Sequence, residues 1–376
     1  MALRRLPGAQ CVGLSRVFDL LAAAHAGCVR AQPGQVPTVC VGSVMSGGSG
    51  KTPIAQAVVR FARALTAGAG GRERGPLRVE CGRHSSCLVG DEPLMHAECA
   101  PTWVARSRGA QLVYRALRPD LALLVVRTPL AQVLGNGRTL PAGPFREWPA
   151  DTLQHVDAIV ILDDTVSLAP GRERVDGPAG TDLPPSLEHL TSASAPTVDA
   201  RVLEAEMMRL WAEGAAGAAH VDPALTRYWR SYRARDPGAQ PRSDPPAVLH
   251  ALLRLTKASC TALAGRRVVA FSASASPESF ARTLESIVRT SGCICAHYAY
   301  PDHAHIPDGE LRWLLVQARE SGAALVSTAR DAVRLPRWAL AEVLRLDVEV
   351  LASLLGRVLP ATQPSRITLH GDRGAS

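Results

Sequence analysis

The segment Met45-Ser46-Gly47-Gly48-Ser49-Gly50-Lys51-Thr52 carries the residue types that hold a phosphate chain. Backbone N–H groups in a glycine-rich turn converge on an anion, and a helix that starts where the turn ends adds its partial positive charge. Ser46, Gly47, Gly48, Ser49 and Gly50 would form that cradle, because the main chain must approach phosphate oxygens closely. Lys51 would reach the β- and γ-phosphates of ATP, and Thr52 would hold Mg²⁺. Met45 stands where the G-x-x-x-x-G-K-[ST] pattern has its first glycine. The elements on either side favour nucleotide binding over a glycine turn that merely ends in Gly-Lys-Thr. The loop alone does not say what receives the phosphate.

Those flanking elements are legible from hydrophobic periodicity. Val36 to Val44 is a β-branched run that reads as a buried strand, and Pro53 to Leu65 has helical spacing with Pro53 in the first turn. Leu121 to Val126 and Ala158 to Leu162 are pure apolar runs of strand length. From Asp163 to about Pro246 the chain is rich in Pro, Gly, Ser and Arg, with one helical patch near Val202 to Ala212. Alternation then resumes: strand Arg267 to Phe271, helix Pro277 to Thr290, strand Ile294 to Tyr298, helix Asp308 to Ser321, strand Ala324 to Ser327. Strands alternating with helices predict an α/β protein, a P-loop NTPase-like, mostly parallel sheet with helices on both faces, plus a smaller C-terminal α/β domain. The expected division is a kinase-type domain over 1–162, a linker or insertion over 163–258, and the C-terminal domain over 259–376.

Composition narrows the classes. Of 376 residues, 47% are apolar and 20% charged, so a packed core is expected and disorder throughout is excluded. No run approaches the roughly 20 apolar residues of a membrane span. Arg16, Asp19 and His25 interrupt the N-terminal apolar stretch, which argues against an export signal. The nine cysteines are irregularly spaced, and Cys293 and Cys295 fit neither a zinc knuckle nor a C-x-x-C pair, so reduced thiols are expected. The net charge of +8 seeks phosphates, but no arginine run is interleaved with aromatics, so nucleic acid is not an expected partner. Leu14, Val17, Phe18, Leu20 and Leu21 recur at helical spacing near Arg4, Arg5 and Arg16. They predict either an amphipathic surface helix or an ordinary packed one.

Several blocks resemble the tetraacyldisaccharide 4′-kinase family, the lipid A 4′-kinases. They are Val36 to Pro53, then Val89-Gly90-Asp91-Glu92-Pro93, then Gly135-Asn136-Gly137-Arg138-Thr139-Leu140-Pro141-Ala142-Gly143-Pro144-Phe145-Arg146-Glu147. Leu263 to Val268, Tyr300-Pro301-Asp302-His303 and Ser327-Thr328-Ala329-Arg330-Asp331-Ala332-Val333-Arg334-Leu335 continue the family order. The resemblance implies phosphoryl transfer from ATP to the 4′-hydroxyl of an acylated disaccharide 1-phosphate, by a cytoplasmic protein lying peripherally on the anionic inner membrane. No obligate protein partner is evident.

Within that resemblance Asp91 matches the family's catalytic Asp and His303 the His paired with it. Asp beside His favours the imidazolium and fixes its tautomer, so the pair can accept a hydroxyl proton; which member takes it first is open. Glu92 is a second metal candidate beside Thr52. Asn136, Arg138 and Arg146 are candidates for contacting the acceptor or its phosphate. Taken alone, Asp91 also reads as a helix-capping turn carboxylate, and His303 as a structural histidine near His297 and His305.

One family feature is missing. An Asp-Asp-Gly-x-Gln-His block normally lies at the end of a core strand between the Gly-Asp-Glu-Pro and Asn-Gly-Arg segments, whereas here Tyr114 to Asp120 runs directly into Leu121 to Val126. Asp151-Thr152-Leu153-Gln154-His155 and Asp163-Asp164 echo it but fall later in the family order. The loss leaves an alternative open: a catalytically impaired or inactive nucleotide-binding relative. A generic GTPase ranks last, because no N-K-x-D is present.

Overall fold

A computed structural model of the chain describes residues 38–45, 49–61, 67–70, 77–105, 119–128, 138–140, 142–146, 148–163, 198–215, 244–274, 277–288 and 292–350. The expected N-terminal amphipathic helix, and Ser46, Gly47, Gly48 and Asn136, lie outside these residues.

The strands are β1 (Val39–Gly42), β2 (Ala67–Gly70), β3 (Leu77–Val79), β4 (Thr102–Ala105), β5 (Leu121–Arg127), β6 (Ala158–Asp163), β7 (Ala247–Leu255), β8 (Arg267–Ser272), β9 (Cys293–Ala299), β10 (Ala324–Thr328), β11 (Val343–Leu346) and β12 (Val348–Val350). The helices are α1 (Lys51–Phe61), α2 (Ser86–Val89), α3 (Asp91–Ala97), α4 (Pro149–Leu153), α5 (Val198–Ala215), α6 (Lys257–Leu263), α7 (Pro277–Val288), α8 (Asp308–Glu320), α9 (Ala329–Ala332) and α10 (Arg337–Leu340).

The first sheet has the order β1-β5-β6-β7-β12 and is parallel except where β12 runs against β7. Its central strands are apolar on both faces because both faces are covered. Leu123, Val125, Val160 and Leu162 pack with Ile54 and Val58 of α1, while Leu124, Val126, Ile159 and Ile161 pack with Leu203 and Met207 of α5. The second sheet, β11-β10-β8-β9, is parallel throughout. Val269 and Phe271 of β8 face Leu311, Leu314 and Leu315 of α8, and Val268 and Ala270 face Leu284 and Val288 of α7. A three-stranded sheet, β2-β4-β3, stands apart.

Two findings modify the sequence reading. The stretch 163–258 contributes a core helix, α5, and a central strand, β7, so part of the expected linker is first-sheet structure. The chain also returns from the second sheet to the first through β12. In addition, among the described residues β1 is an edge strand whose neighbour is β5.

Candidate active site

The phosphate loop leaves β1 and enters α1. Gly50 has φ +78°, and a Cβ there would lie 2.1 Å from Leu162 Cδ1. Glycine is therefore required both by the left-handed backbone and by contact with β6. Lys51 opens α1, and its Nζ donates to Ser49 Oγ at 3.1 Å. Burial pushes the Lys51 ammonium below its ordinary pKa; Glu92 opposes this, while Arg146 and Arg330 add to it. Lys51 thus sits among charges from three other parts of the chain, and a bound polyanion would favour its protonated form.

Arg146 arrives there through a short backbone clasp. Phe145, 2% exposed, bridges both Met45 and Thr139, and the Arg146 N–H donates to the Val44 carbonyl at 2.7 Å. Residues 138–140 and 142–146 of the Asn-Gly-Arg to Arg-Glu block are so folded against the start of the phosphate loop. Arg138 is exposed at the base of this clasp, where its carbonyl accepts from the Phe145 N–H at 3.2 Å.

Asp91 is the first residue of α3, placed there by Gly90 at φ +96°. The Gln56 side-chain amide of α1 donates to the Met95 carbonyl of α3 at 2.9 Å, which ties the Lys51 helix to the Asp91 helix. The Asp91 carboxylate is 5% exposed, with His303 Nδ1 at 2.9 Å, Arg334 Nε at 3.5 Å and Arg330 Nε at 3.8 Å from its Oδ2. Glu92, the next residue, is near enough to Lys51 and His96 to bear on both their charges.

His303 has φ +58°, the only non-glycine residue with positive φ among those described. Such a conformation costs of order 1–3 kcal/mol and persists where the surroundings hold it. Here the His303 N–H donates to Ala273 O at 3.2 Å, and Arg330 Nη2 lies 2.6 Å from Nε2. A guanidinium can only donate, so Nε2 is an acceptor and Nδ1 carries the hydrogen that is given to Asp91.

The arginines are held by the turn after β10. The Thr328 hydroxyl and the Ala273 N–H both donate to Asp331 Oδ2, at 2.7 and 3.2 Å. Arg334 pairs with Asp331 Oδ1 and donates to the Ala304 and Ala273 carbonyls at 3.0 and 3.1 Å. Arg330 and Arg334 lie on either side of Asp331 in the 327–335 block, and that spacing is the signal they leave in the sequence.

The acidic look-alikes have partners of their own. Gln154 is buried and donates to the Trp211 carbonyl of α5 at 2.8 Å, so its segment serves packing. Asp163, at the end of β6, accepts from the Thr128 hydroxyl at 3.2 Å, one strand beyond β5. At the end of β5 itself stands Arg127, which donates to Ser279 Oγ at 2.9 Å. Among the described residues no cluster of three or more His, Cys, Asp or Glu side chains is arranged to hold a metal. Magnesium in phosphoryl-transfer sites needs only one or two protein oxygens beside the substrate phosphates, which Thr52 and Glu92 satisfy in kind.

A parallel sheet, a glycine-rich loop feeding a helix that starts with Lys-Thr, and a buried carboxylate–imidazole pair define a P-loop kinase-type α/β protein. The family model for Tetraacyldisaccharide-1-P 4′-kinase (LpxK) matches residues 13–124 and 112–359. The chain belongs to that family. It is 31% identical to the tetraacyldisaccharide 4′-kinase of Parvibaculum lavamentivorans, with 94% of this chain and 92% of the relative covered. It is 32% identical to that of Methylorubrum extorquens, with 83% and 80% covered. The fold is similar to a crystal structure of LpxK from Aquifex aeolicus in complex with ATP, at TM-score 0.50 and 16% identity over 93% of this chain and 98% of that one.

Proposed function

We propose that this protein is the ATP-dependent kinase that phosphorylates the 4′-hydroxyl of tetraacyldisaccharide 1-phosphate in lipid A biosynthesis. The observation that carries the reading is the buried Asp91 carboxylate held 2.9 Å from His303, on a helix tied to the one that begins with Lys51.

The chemistry follows from that placement. ATP enters as substrate, its phosphates received by residues 46–50 and the N-terminus of α1, with the Lys51 ammonium offsetting charge on the β- and γ-phosphates. The acceptor hydroxyl loses its proton to Asp91. His303, donating through Nδ1, orients that carboxylate and steadies it before and after transfer. Arg330 and Arg146 bring positive charge to the region where the phosphoryl group moves, and Arg138 and Asn136 are offered to the acceptor or its 1-phosphate. Thr52 and Glu92 would hold Mg²⁺, whose role is to neutralise charge across the β- and γ-phosphates. The division of labour is between residues 1–162, which hold the triphosphate, and residues 259–376, which supply His303, Arg330 and Arg334.

The acylated substrate and the net charge of +8 support peripheral contact with an anionic bilayer. No helix among the described residues is long and apolar enough to cross a membrane.

The test is label transfer. Purified protein is incubated with γ-labelled ATP, Mg²⁺ and tetraacyldisaccharide 1-phosphate, beside a Lys51→Ala control. A labelled bis-phosphorylated lipid that disappears in the control is expected. ATP binding without lipid product would contradict the reading.

A further inference from the structure

Strand β9 carries two cysteines that the kinase reaction does not use. Arg267 pairs with Cys293 and Val268 with Ile294, but Val269 pairs with Ala296. Cys295 is therefore an extra residue, a β-bulge on what is, among the described residues, an edge strand. Bulges re-aim side chains, and here both thiols are exposed with their sulfurs 3.9 Å apart. That is close to van der Waals contact, so side-chain rotation rather than backbone movement closes most of the distance to a bond.

We propose that Cys293 and Cys295 form a dithiol modification site, at which Cys295 attacks a low-molecular-weight disulfide of the glutathione class and Cys293 closes the internal bond. In the first step the Cys295 thiolate bonds to one sulfur of the small disulfide, and the other sulfur leaves as a thiolate. In the second, the Cys293 thiolate attacks the Cys295 sulfur and expels the remaining small thiolate. The two protein sulfurs are oxidised by two electrons, the small disulfide is reduced to two thiols, and these take up the two protons.

The local charge supports Cys295 as the attacking group. Slight burial acts to raise its pKa, but hydrogen bonds from Arg267 and Cys293, with the Arg267 charge, outweigh this and lower it. Cys40 shows the opposite environment: it is buried in β1 and its thiol is pushed up to about 12. Cys81, although exposed, is pushed up by desolvation and then by Glu98.

The test uses the full chain and glutathione disulfide at neutral pH, then tryptic mapping after blocking remaining thiols. The sequence between Arg289 and Arg312 holds Cys293 and Cys295 and no other cysteine. The expected result is a 290–312 peptide lighter by two hydrogens, formed faster than any adduct at Cys81. Cys293→Ser should trap a glutathione adduct on Cys295, and Arg267→Ala should slow the reaction about three- to tenfold, because less thiolate is present. Thermal melting of each variant, expected to match the parent, separates lost chemistry from lost folding. A peptide that keeps both thiols free, or carries glutathione on each without an internal bond, would overturn the proposal. Equal reactivity in Cys295→Ser would overturn the assignment of the attacking sulfur.

Discussion

Arg330 covers one nitrogen of His303, with Nη2 2.6 Å from Nε2, and so leaves the other nitrogen to donate to Asp91. This contact leaves Nδ1 as the nitrogen that faces the carboxylate. In the proposed reading His303 holds the carboxylate, and Asp91 accepts the proton. Arg330→Met should therefore lower turnover by about 10-fold or more while ATP affinity changes little, whereas Arg330→Lys, which keeps a donor, should recover part of the rate. Steady-state kinetics beside calorimetric ATP titration measures both.

Gly50→Ala combines a left-handed backbone with a Cβ placed 2.1 Å from Leu162 Cδ1. It should cost about 1–3 kcal/mol of stability and abolish ATP binding. Thermal unfolding and ATP titration of the variant check the two effects separately.

Phe145→Ala removes a buried ring from the core cluster that includes Val44, Leu124 and Leu153, beneath the backbone bridges to Met45 and Thr139. A loss of about 3–5 kcal/mol is expected from the transfer and cavity terms. Because Arg146 is positioned through this clasp, the variant's Lys51 environment should change too. Chemical denaturation gives the first quantity, and the pH dependence of ATP binding reports the second.

His96, on the same helix as Asp91, is buried and its pKa is lowered by that burial, with Glu92 partly opposing. The unfolded chain therefore binds the proton more readily than the folded one. Stability from this group is present above the ordinary histidine pKa of about 6.5 and is lost as pH falls below it. The melting temperature should be lower at pH 5.5 than at pH 7.5, and His96→Gln should shrink the difference. An unchanged difference would remove His96 from this account.

Much of this was legible in the sequence, and the reasons differ by element. The apolar runs of β5 and β6 announce strands because both faces are covered by α1 and α5, so no polar alternation is needed. The Gly-Lys-Thr turn is local chemistry, and its glycines are set by backbone needs that sequence displays directly. Asp91 and His303 were reached only through family blocks, since 212 residues separate them and nothing local joins them. β7 was missed because Ala-Val-Leu-His-Ala-Leu-Leu-Arg-Leu has no period-2 pattern; its strand state comes from pairing with β6 on one side and β12 on the other. Arg330 and Arg334 escaped notice for a similar reason. Their charges acquire meaning only when the second sheet brings their turn against α3.

The central claim is that Asp91, held by His303, takes the proton of the acceptor hydroxyl. The most direct measurement is the single-turnover rate of Asp91→Asn with ATP and tetraacyldisaccharide 1-phosphate both bound. A fall of about 10²- to 10⁴-fold in the formation of bis-phosphorylated lipid, with ATP affinity preserved, is the predicted result. A variant that forms product at close to the parent rate, or one that loses ATP binding in proportion to its rate, would contradict the account.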